Sequence, residues 1–167
     1  FHMWTPDVYE GSPTSVTSFF SIVPKVAALT VFIRFLYIPF LNAIDEWQTI
    51  LIFLSLGSMI LGAVAAIGQT NIKRLIAYSS IGHIGYALAG LLTGTNAGVQ
   101  SAIIYITIYA VMNLAIFGCI FMMKRENIFE EDIYELSGLS RNHPVLSLSF
   151  VIILFSLAGI PPMAGFF

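Results

Sequence analysis

The sequence contains little charge and almost nothing that could carry redox chemistry. Charged residues make up only 10% of the 167 residues, against about a quarter in soluble domains, and the net charge of −2 provides no basic surface for nucleic acid. The single cysteine, Cys119, excludes a disulfide framework, a CxxC redox pair or a multi-cysteine iron–sulfur site within this chain. An initiator methionine and a cleavable signal peptide are also lacking. We therefore expect an internal piece of a larger polytopic protein, or one product of a split one.

Long apolar runs make up most of the sequence. Hydrophobic residues account for 57% of the chain, and the period-2 alternation of membrane strands is absent, so an all-α, polytopic membrane helix bundle is predicted. Runs of about 20 or more residues can cross a hydrocarbon core of roughly 30 Å as helices. Five such runs are predicted to span: 13–40, 47–69, 72–92, 97–123 and 144–167. The polar segment 124–143 between the last two has the composition of a loop with a short amphipathic surface helix.

Basic residues predict the orientation of these spans. Lys73 and Arg74 fall between the second and third spans, and Lys124, Arg125 and Arg141 fall between the fourth and fifth. The other two loops contain no lysine or arginine, and alternating spans place both basic loops on one side. The positive-inside rule assigns that side to the cytoplasm, or to the matrix in a mitochondrion.

A lysine stands inside the first run, directly after a proline. A charge at this depth is costly unless it faces a partner, water or a polar cavity, so Lys25 is the leading candidate for a functional residue. Pro24 cannot donate a backbone hydrogen bond to the carbonyl of Phe20 and is predicted to break or kink the helix beside the charge. Desolvation favours the neutral form of a buried amine, which allows it to gain and lose a proton. The pair indicates an ion or proton path.

A histidine lies near the middle of the third run. His83 stands about 16 Å along the helix from its start, and Ser79 and Tyr86 share its helix face. Nearby glycines favour close helix packing and leave room for water. In a bilayer the functional interpretation is favoured because a neutral residue would cost less, although a purely structural histidine is the alternative.

The remaining polar candidates have weaker patterns. Tyr105, Tyr109 and Asn113 recur every four residues in the fourth run and share one face, which hydrogen bonding between helices explains at least as well as a proton wire does. Arg34 lies about 13 Å beyond Lys25, where its side chain can reach the outer interface. It is a minor candidate for a role in the path.

Two adjacent prolines, Pro161 and Pro162, interrupt the last run. Non-helical backbone at membrane depth is tolerated only against protein or a water-filled cavity, and broken helices mark ion sites in transporters. The stretch before the prolines is only about 25 Å long as a helix. An end at the far membrane interface is therefore an equal alternative to a functional helix break.

Three motifs, in order along the chain, resemble the antiporter-like membrane subunits of respiratory complex I. They are FHMWTPDVYEGSPTSVTSFFSIVPK, QTNIKRLIAYSSIGHIGYALAG and SLAGIPPMAGFF. The wording WTPDVYEGSPT resembles the N type, called subunit 2 in mitochondria, rather than the L and M types, whose motif is similar to WLPDAH. The resemblance extends over essentially the whole chain.

This resemblance implies a 14-helix fold with two inverted five-helix repeats. Residues 1–12 would be the end of a broken helix seven, and the five runs would be helices eight to twelve. Lys25 would link the two halves of a proton path, with His83 and His2 as further titratable steps. The lysines of helices seven and twelve would lie outside this chain. The chain departs from the L type on helix eleven, where tyrosines and an asparagine replace histidines and a lysine.

The implied function is that of a translocase subunit in a proton-pumping NADH:quinone oxidoreductase. FMN, iron–sulfur clusters, NADH and quinone would be bound by other subunits, and this chain would bind no cofactor or metal and hold no redox site. Its partners would be lipid and neighbouring antiporter-like and other membrane subunits, in a bacterial inner membrane or, alternatively, a mitochondrial one. The rivals are a subunit of a Mrp-type cation/proton antiporter or membrane-bound hydrogenase, and a merely structural helix bundle.

Overall fold

The apolar runs form helices that pack side by side. The computed structural model describes residues 3–125 and 131–166. Within these ranges there is no β-strand, and two-stranded pairing is limited to an isolated bridge between Asn71 and Asp132. The α-helices are α1 Thr5–Gly11, α2 Thr14–Tyr37, α3 Ile44–Ile67, α4 Ile72–Leu91, α5 Asn96–Arg125, α6 Leu139–Asn142 and α7 Pro144–Leu157. Short 3₁₀ turns occupy Leu41–Ala43, Ile133–Leu136 and Ala164–Phe166.

Three helical segments are long and apolar enough to cross a membrane. They are Thr14–Tyr37, Leu41–Ile67 and Asn96–Met123, which overlap the first, second and fourth predicted runs. These helices point many large apolar side chains away from the bundle; Phe53, for example, is 72% exposed. An outward apolar surface is the arrangement that a lipid environment requires. The chain is a multi-pass membrane protein.

The third predicted run becomes the central helix of the bundle. α4 packs along α3 and also contacts α1 and α5. Twelve of its 20 residues are buried. Its length corresponds to about 30 Å, so its two ends lie near the two ends of the bundle. We call the end that carries Lys73 and Arg74 the inner end, following the predicted orientation.

The contact between α3 and α4 depends on glycine, which has no side chain. A Cβ atom added to Gly62 would lie 2.6 Å from the backbone nitrogen of Gly82 and 2.8 Å from the carbonyl oxygen of Tyr78. Side chains do not approach a backbone so closely, so glycine is required at this crossing. Nearby, the hydroxyl of Ser55 donates a hydrogen bond of 2.8 Å to the carbonyl of Gly85. Together these contacts fix the position of α4.

Two apolar clusters fill the interior, one towards each end. The inner cluster is built around Tyr9, Ile76, Ile116, Phe117 and Ile120. The outer cluster is built around Leu29, Trp47, Leu88, Leu91 and Ile106. Tyr109, one of the polar candidates of the sequence, belongs to the outer cluster.

The first predicted helix break does not occur. α2 runs without interruption from Thr14 to Tyr37, so the prediction that Pro24 breaks the helix is wrong. Proline removes one backbone hydrogen bond, here to the carbonyl of Phe20, at a cost of about 3 kcal/mol. Membrane helices tolerate this loss because neighbouring helices and small local adjustments support the freed group. α5 packs along α2 and provides such a neighbour.

The last predicted run is helical only over Pro144–Leu157, so 144–167 is not one helix. The helix ends before Pro161 and Pro162, because Gly159 takes a φ of +73°, a conformation that favours glycine and terminates helices. The chain then turns back on itself. The N–H of Gly165 donates to the hydroxyl oxygen of Ser156, at 3.3 Å.

The end of α7 lies in the middle of the bundle. At 14 residues the helix is about 21 Å long, too short to cross it. Leu157, its last residue, lines cavities together with His83 and Tyr109. The alternative in which this helix ends at the far interface is therefore wrong, and its end lies level with His83.

The two basic loops meet at the inner end. The N–H of Ile72 donates to the carbonyl of Glu131 at 2.9 Å, and the N–H of Ile133 donates to the carbonyl of Thr70 at 2.8 Å. Asn71 caps α4 by accepting from the N–H of Lys73. This confirms that both loops lie on one side. The described part of the segment 124–143 contains the turn Ile133–Leu136 and the four-residue helix α6.

Candidate functional site

Lys25 lies at the centre of the bundle, only 3% exposed. Its ammonium group donates to the phenol oxygen of Tyr9 at 2.8 Å and to that of Tyr109 at 3.4 Å. The ammonium nitrogen also lies 5.3 Å and 5.6 Å from the centres of these two rings, within the range of cation–π attraction. Three helices, α2, α1 and α5, therefore contribute to its surroundings.

The pattern of α2 explains why the lysine points inward. Four of the six buried positions of this helix carry polar residues, Thr14, Thr17, Ser21 and Lys25, spaced three or four residues apart on one face. Apart from Arg34 near its end, its large exposed side chains are instead apolar, as a lipid-facing surface requires. α2 thus buries a polar stripe and exposes hydrophobic groups, the reverse of a helix in a soluble protein.

No carboxylate neutralises this lysine within residues 3–125 and 131–166. On the side away from the tyrosines, Lys25 borders a cavity of about 160 Å³ that is otherwise lined almost entirely by apolar side chains. The two phenols are therefore its polar partners in the described structure. Such a group has hydrogen-bond partners for its charged form but no fixed negative charge that would hold the proton permanently.

His83 forms the second part of the site, on α4. Its Nδ1 atom and the hydroxyl oxygen of Tyr105 are 2.7 Å apart, and the tautomer of the ring decides which group donates. The ring of Tyr109 lies against it, with 4.9 Å between centroids, and Tyr86 lies 6.4 Å away. The predicted residues of the third and fourth runs are thus brought together. Tyr86 is 56% exposed, so it forms the outer edge of this group.

Tyr109 connects the two parts. Its hydroxyl accepts from Lys25, while its ring contacts the imidazole of His83. Direct hydrogen bonds join Tyr9, Lys25 and Tyr109, and a separate one joins His83 to Tyr105. The contact between the two sets is between the tilted rings of His83 and Tyr109, at an interplanar angle of 42°. A proton moving from one set to the other needs a water molecule or a side-chain rotation at this point.

Asn113 extends the site towards the inner end. Its amide nitrogen donates to the carbonyl of Tyr109 at 3.1 Å, and its buried Oδ1 atom has no hydrogen-bond partner among the described protein atoms. Asn113, Ser79 and Tyr109 line a cavity of about 200 Å³. The rest of its lining is apolar, but a cavity of this size has room for water, and these three side chains offer polar atoms to it.

Cavities also flank His83 on its other sides. One of about 260 Å³ is lined by His83, Tyr86, Tyr105 and Gly165, and one of about 420 Å³ reaches Ser79. Non-helical backbone after α7 borders both. Within residues 3–125 and 131–166, His, Cys, Asp and Glu side chains form no group of three that could hold a metal ion.

Two predicted candidates stand apart from this group. Arg34 is exposed near the end of α2, away from Lys25. His2 lies outside the described residues, so its role stays a prediction. The assignment of Lys25, His83 and the tyrosines to a proton path is likewise a prediction, to which the structure adds their proximity.

The sequence interpretation missed Tyr9, which touches Lys25 most closely. Tyr9 is fully buried and lies on α1, 16 residues before the lysine. A phenol has an apolar body and a polar tip, so a tyrosine amid apolar residues is as consistent with packing as with hydrogen bonding. The available signal was Lys25 itself, which lies on the next helix and for which the sequence suggested no carboxylate partner.

The chain matches known protein families over its whole length. A family model described as "NADH:quinone oxidoreductase/Mrp antiporter, TM" covers residues 1–167. A protein from Pelagibacter ubique, named NADH-quinone oxidoreductase subunit N, is 74% identical over 167 residues, which is 100% of this chain and 36% of that protein. The chain thus spans about a third of the length of the curated relatives it matches.

Solved structures show the same fold. A chain of respiratory complex I from Thermus thermophilus is 36% identical, with a TM-score of 0.81 over 99% of this chain and 35% of that one. A chain of an archaeal membrane-bound sulfane sulfur reductase is 29% identical, with a TM-score of 0.86 over 95% of this chain and 32% of that one.

Proposed function

Because this chain belongs to the NADH:quinone oxidoreductase/Mrp antiporter membrane family, we propose that it is the central part of a proton-translocating subunit of the N type. The full protein would act as a translocase within NADH:quinone oxidoreductase. The observation that carries the proposal is a membrane-embedded lysine bonded to two phenols and unpaired with any described carboxylate. An intramembrane ionisable residue of this kind is a functional site by default.

The chemistry proposed for the site is proton transfer without redox change. Lys25 would hold a proton on its ammonium group and pass it to the oxygen of Tyr109. The phenol proton of Tyr109 would move through a water molecule to the ring of His83, and from there into the cavities beside it. Tyr105 would orient the His83 ring through the bond to Nδ1. The neutral amine of Lys25 would then accept a new proton. Changes in the charge of neighbouring subunits would drive the cycle, since an added charge nearby favours or disfavours the ammonium form.

Cofactors and partners are part of the proposal rather than of the described structure. FMN, iron–sulfur clusters, NADH and quinone would be held by other subunits of the complex. Neighbouring membrane subunits, including antiporter-like ones, would cover the open sides of the cavities beside His83. The relatives that carry the subunit N name are bacterial, which supports the bacterial inner membrane as the location.

The likeness to the sulfane sulfur reductase supports a second candidate, a subunit of another membrane complex of the same family. The identity of 74% to a protein named subunit N favours the first. Purification of the full-length protein from its native membrane separates the two. NADH-oxidising activity in the purified complex supports the first candidate, and a complex that lacks it supports the second.

The role of Lys25 is tested by Lys25→Ala in the full-length protein, measured as NADH-driven proton uptake in inverted membrane vesicles. Arg34→Ala is a matched control, because it removes a cation from the same helix at an exposed position. We expect Lys25→Ala to lower proton uptake more than it lowers the amount of assembled complex, and Arg34→Ala to leave uptake largely intact. Normal pumping in the Lys25→Ala complex would reject the relay role and favour a merely structural bundle.

A further inference from the structure

The short helix α1 contacts α2 with one face and α4 with the other. On one face, Tyr9 accepts the hydrogen bond of Lys25 at 2.8 Å. On the other, Asp7 and Glu10 pair with Arg74 in the first turn of α4, at 3.2 Å and 2.8 Å. We propose that Arg74, with its neighbour Lys73, is a positioning residue that docks α1 on α4 and thereby sets the Tyr9 phenol against Lys25.

Lys73 contacts the carboxyl end of the same helix. Its ammonium group donates to the carbonyl of Ser12, directly after α1, at 2.8 Å and pairs with Glu131 at 2.8 Å. Lys73 is only 1% exposed, so this contact is sheltered from water. Arg74 therefore contacts the side of α1, and Lys73 contacts its carboxyl end.

The ion pairs act together with the packing of Tyr9, whose ring contacts Phe117 and whose carbonyl accepts from the hydroxyl of Thr17 at 3.3 Å. Helix α1 packs chiefly against α4, although the chain connects it directly to α2. It contains seven residues and is about 10 Å long, so the two carboxylates that contact Arg74 lie within one turn of Tyr9. The bond from Lys25 to Tyr9 is 2.8 Å long, and at 3.6 Å it would no longer be a hydrogen bond. A shift of less than 1 Å is therefore sufficient to break it.

This arrangement connects the inner surface to the buried amine. The side chains of Arg74, Asp7 and Glu10 are 34%, 77% and 43% exposed, so dissolved ions reach their pairs. Salt at about 1 M screens exposed charges beyond roughly 3 Å. The buried pair of Lys73 is screened much less. The hydrogen bond between Lys25 and Tyr9 should thus weaken when the salt concentration at the inner face rises. The hydrogen bond between Lys25 and Tyr109 should not change. The functional meaning of this link rests on the proposed relay, but the geometric link does not.

The test follows the environment of the Tyr9 phenol in the full-length protein. A fluorotyrosine is introduced at position 9, and its fluorine NMR signal is recorded in lipid nanodiscs. Lys25→Met provides the signal of a phenol without its partner. We expect Arg74→Gln to move the signal towards that reference. The population in which Tyr9 is bonded to Lys25 should fall about two- to fivefold, the factor that corresponds to the free energy of an exposed ion pair. High salt on the unchanged protein should move it in the same direction.

Two variants control for charge and folding. Arg141→Gln removes a cation from the same end of the bundle, on α6, and should leave the signal in place. Reversing the charges of both pairs together, Arg74→Glu with Asp7→Lys and Glu10→Arg, should restore it. An unmoved signal in both Arg74→Gln and high salt would overturn the inference, as would an equal response to Arg141→Gln.

Pumping measurements separate this inference from the proposed function. If Arg74 acts through Tyr9, then Arg74→Gln lowers proton uptake in the unchanged background but adds nothing in a Tyr9→Phe background. Additive losses would mean that Arg74 does not act through Tyr9, which rejects the inference. A moved NMR signal in Arg74→Gln together with normal pumping in Lys25→Ala would instead reject the relay and leave the positioning link intact.

Discussion

The crossing of α3 and α4 allows the sharpest prediction, the substitution Gly62→Ala. The three atoms nearest to the new methyl carbon would all be backbone atoms, with the nitrogen of Gly82 at 2.6 Å and the carbonyl oxygen of Tyr78 at 2.8 Å. A backbone cannot rotate away as a flexible side chain can. The two helices must therefore separate.

The size of the effect follows from these distances. Ordinary van der Waals contact begins at 3.4 Å, so the helices must part by about 0.8 Å at the crossing. Overpacking of this kind costs about 1–3 kcal/mol. The displacement also stretches the bond between Ser55 and Gly85, which is part of the same contact. Because α4 carries His83, its bond of 2.7 Å to Tyr105 would change as well.

The measurement is equilibrium unfolding of the full-length protein in SDS–detergent mixtures, followed by circular dichroism. Gly57→Ala is the matched control, since it lies in the same helix and a Cβ atom there meets nothing within 4 Å. Both changes gain the same helix propensity, up to about 1 kcal/mol. Gly62→Ala should therefore have an unfolding free energy lower than that of Gly57→Ala by about 1–3 kcal/mol. Equal stabilities would refute the close packing of α3 on α4.

Two further predictions concern buried polar pairs. Glu131→Gln leaves the buried charge of Lys73 uncompensated and should lower the unfolding free energy by about 3 kcal/mol, in the range for a broken buried ion pair; a loss below about 1 kcal/mol, typical of surface pairs, would contradict its burial. Tyr105→Phe removes the partner of the His83 Nδ1 atom and should shift the nitrogen NMR signals of a labelled His83. Tyr134→Phe, at an exposed site, should not, and equal spectra for the two variants would count against the bond.

The helices could be predicted from sequence because lipid imposes a simple requirement. A run such as 97–123 is apolar on nearly all sides, and backbone groups in a membrane must be satisfied within the helix. The face shared by Tyr105, Tyr109 and Asn113 followed from helical periodicity alone. Helix length and local spacing therefore account for much of the architecture.

Contacts between distant segments could not be predicted in this way. Tyr9 meets Lys25 across two helices, and α1 contacts α4 through ion pairs between residues more than 60 positions apart. Lys73 served in the sequence as a marker of orientation, but its partner Glu131 lies in a different loop. The effect of Pro24 was overestimated for a related reason, since support from a neighbouring helix is not visible in a local pattern.

The position at which α7 stops has an electrostatic consequence. The aligned peptide dipoles of a helix leave the equivalent of about half a negative charge at its carboxyl end. That end lies next to the cavities beside His83, whose described lining contains no acidic side chain. A positive charge that arrives there is stabilised by about 0.3–1 kcal/mol, and by up to about 2 kcal/mol in a partly buried geometry. The helix terminus thus provides a negative pole beside His83 that cannot itself be protonated.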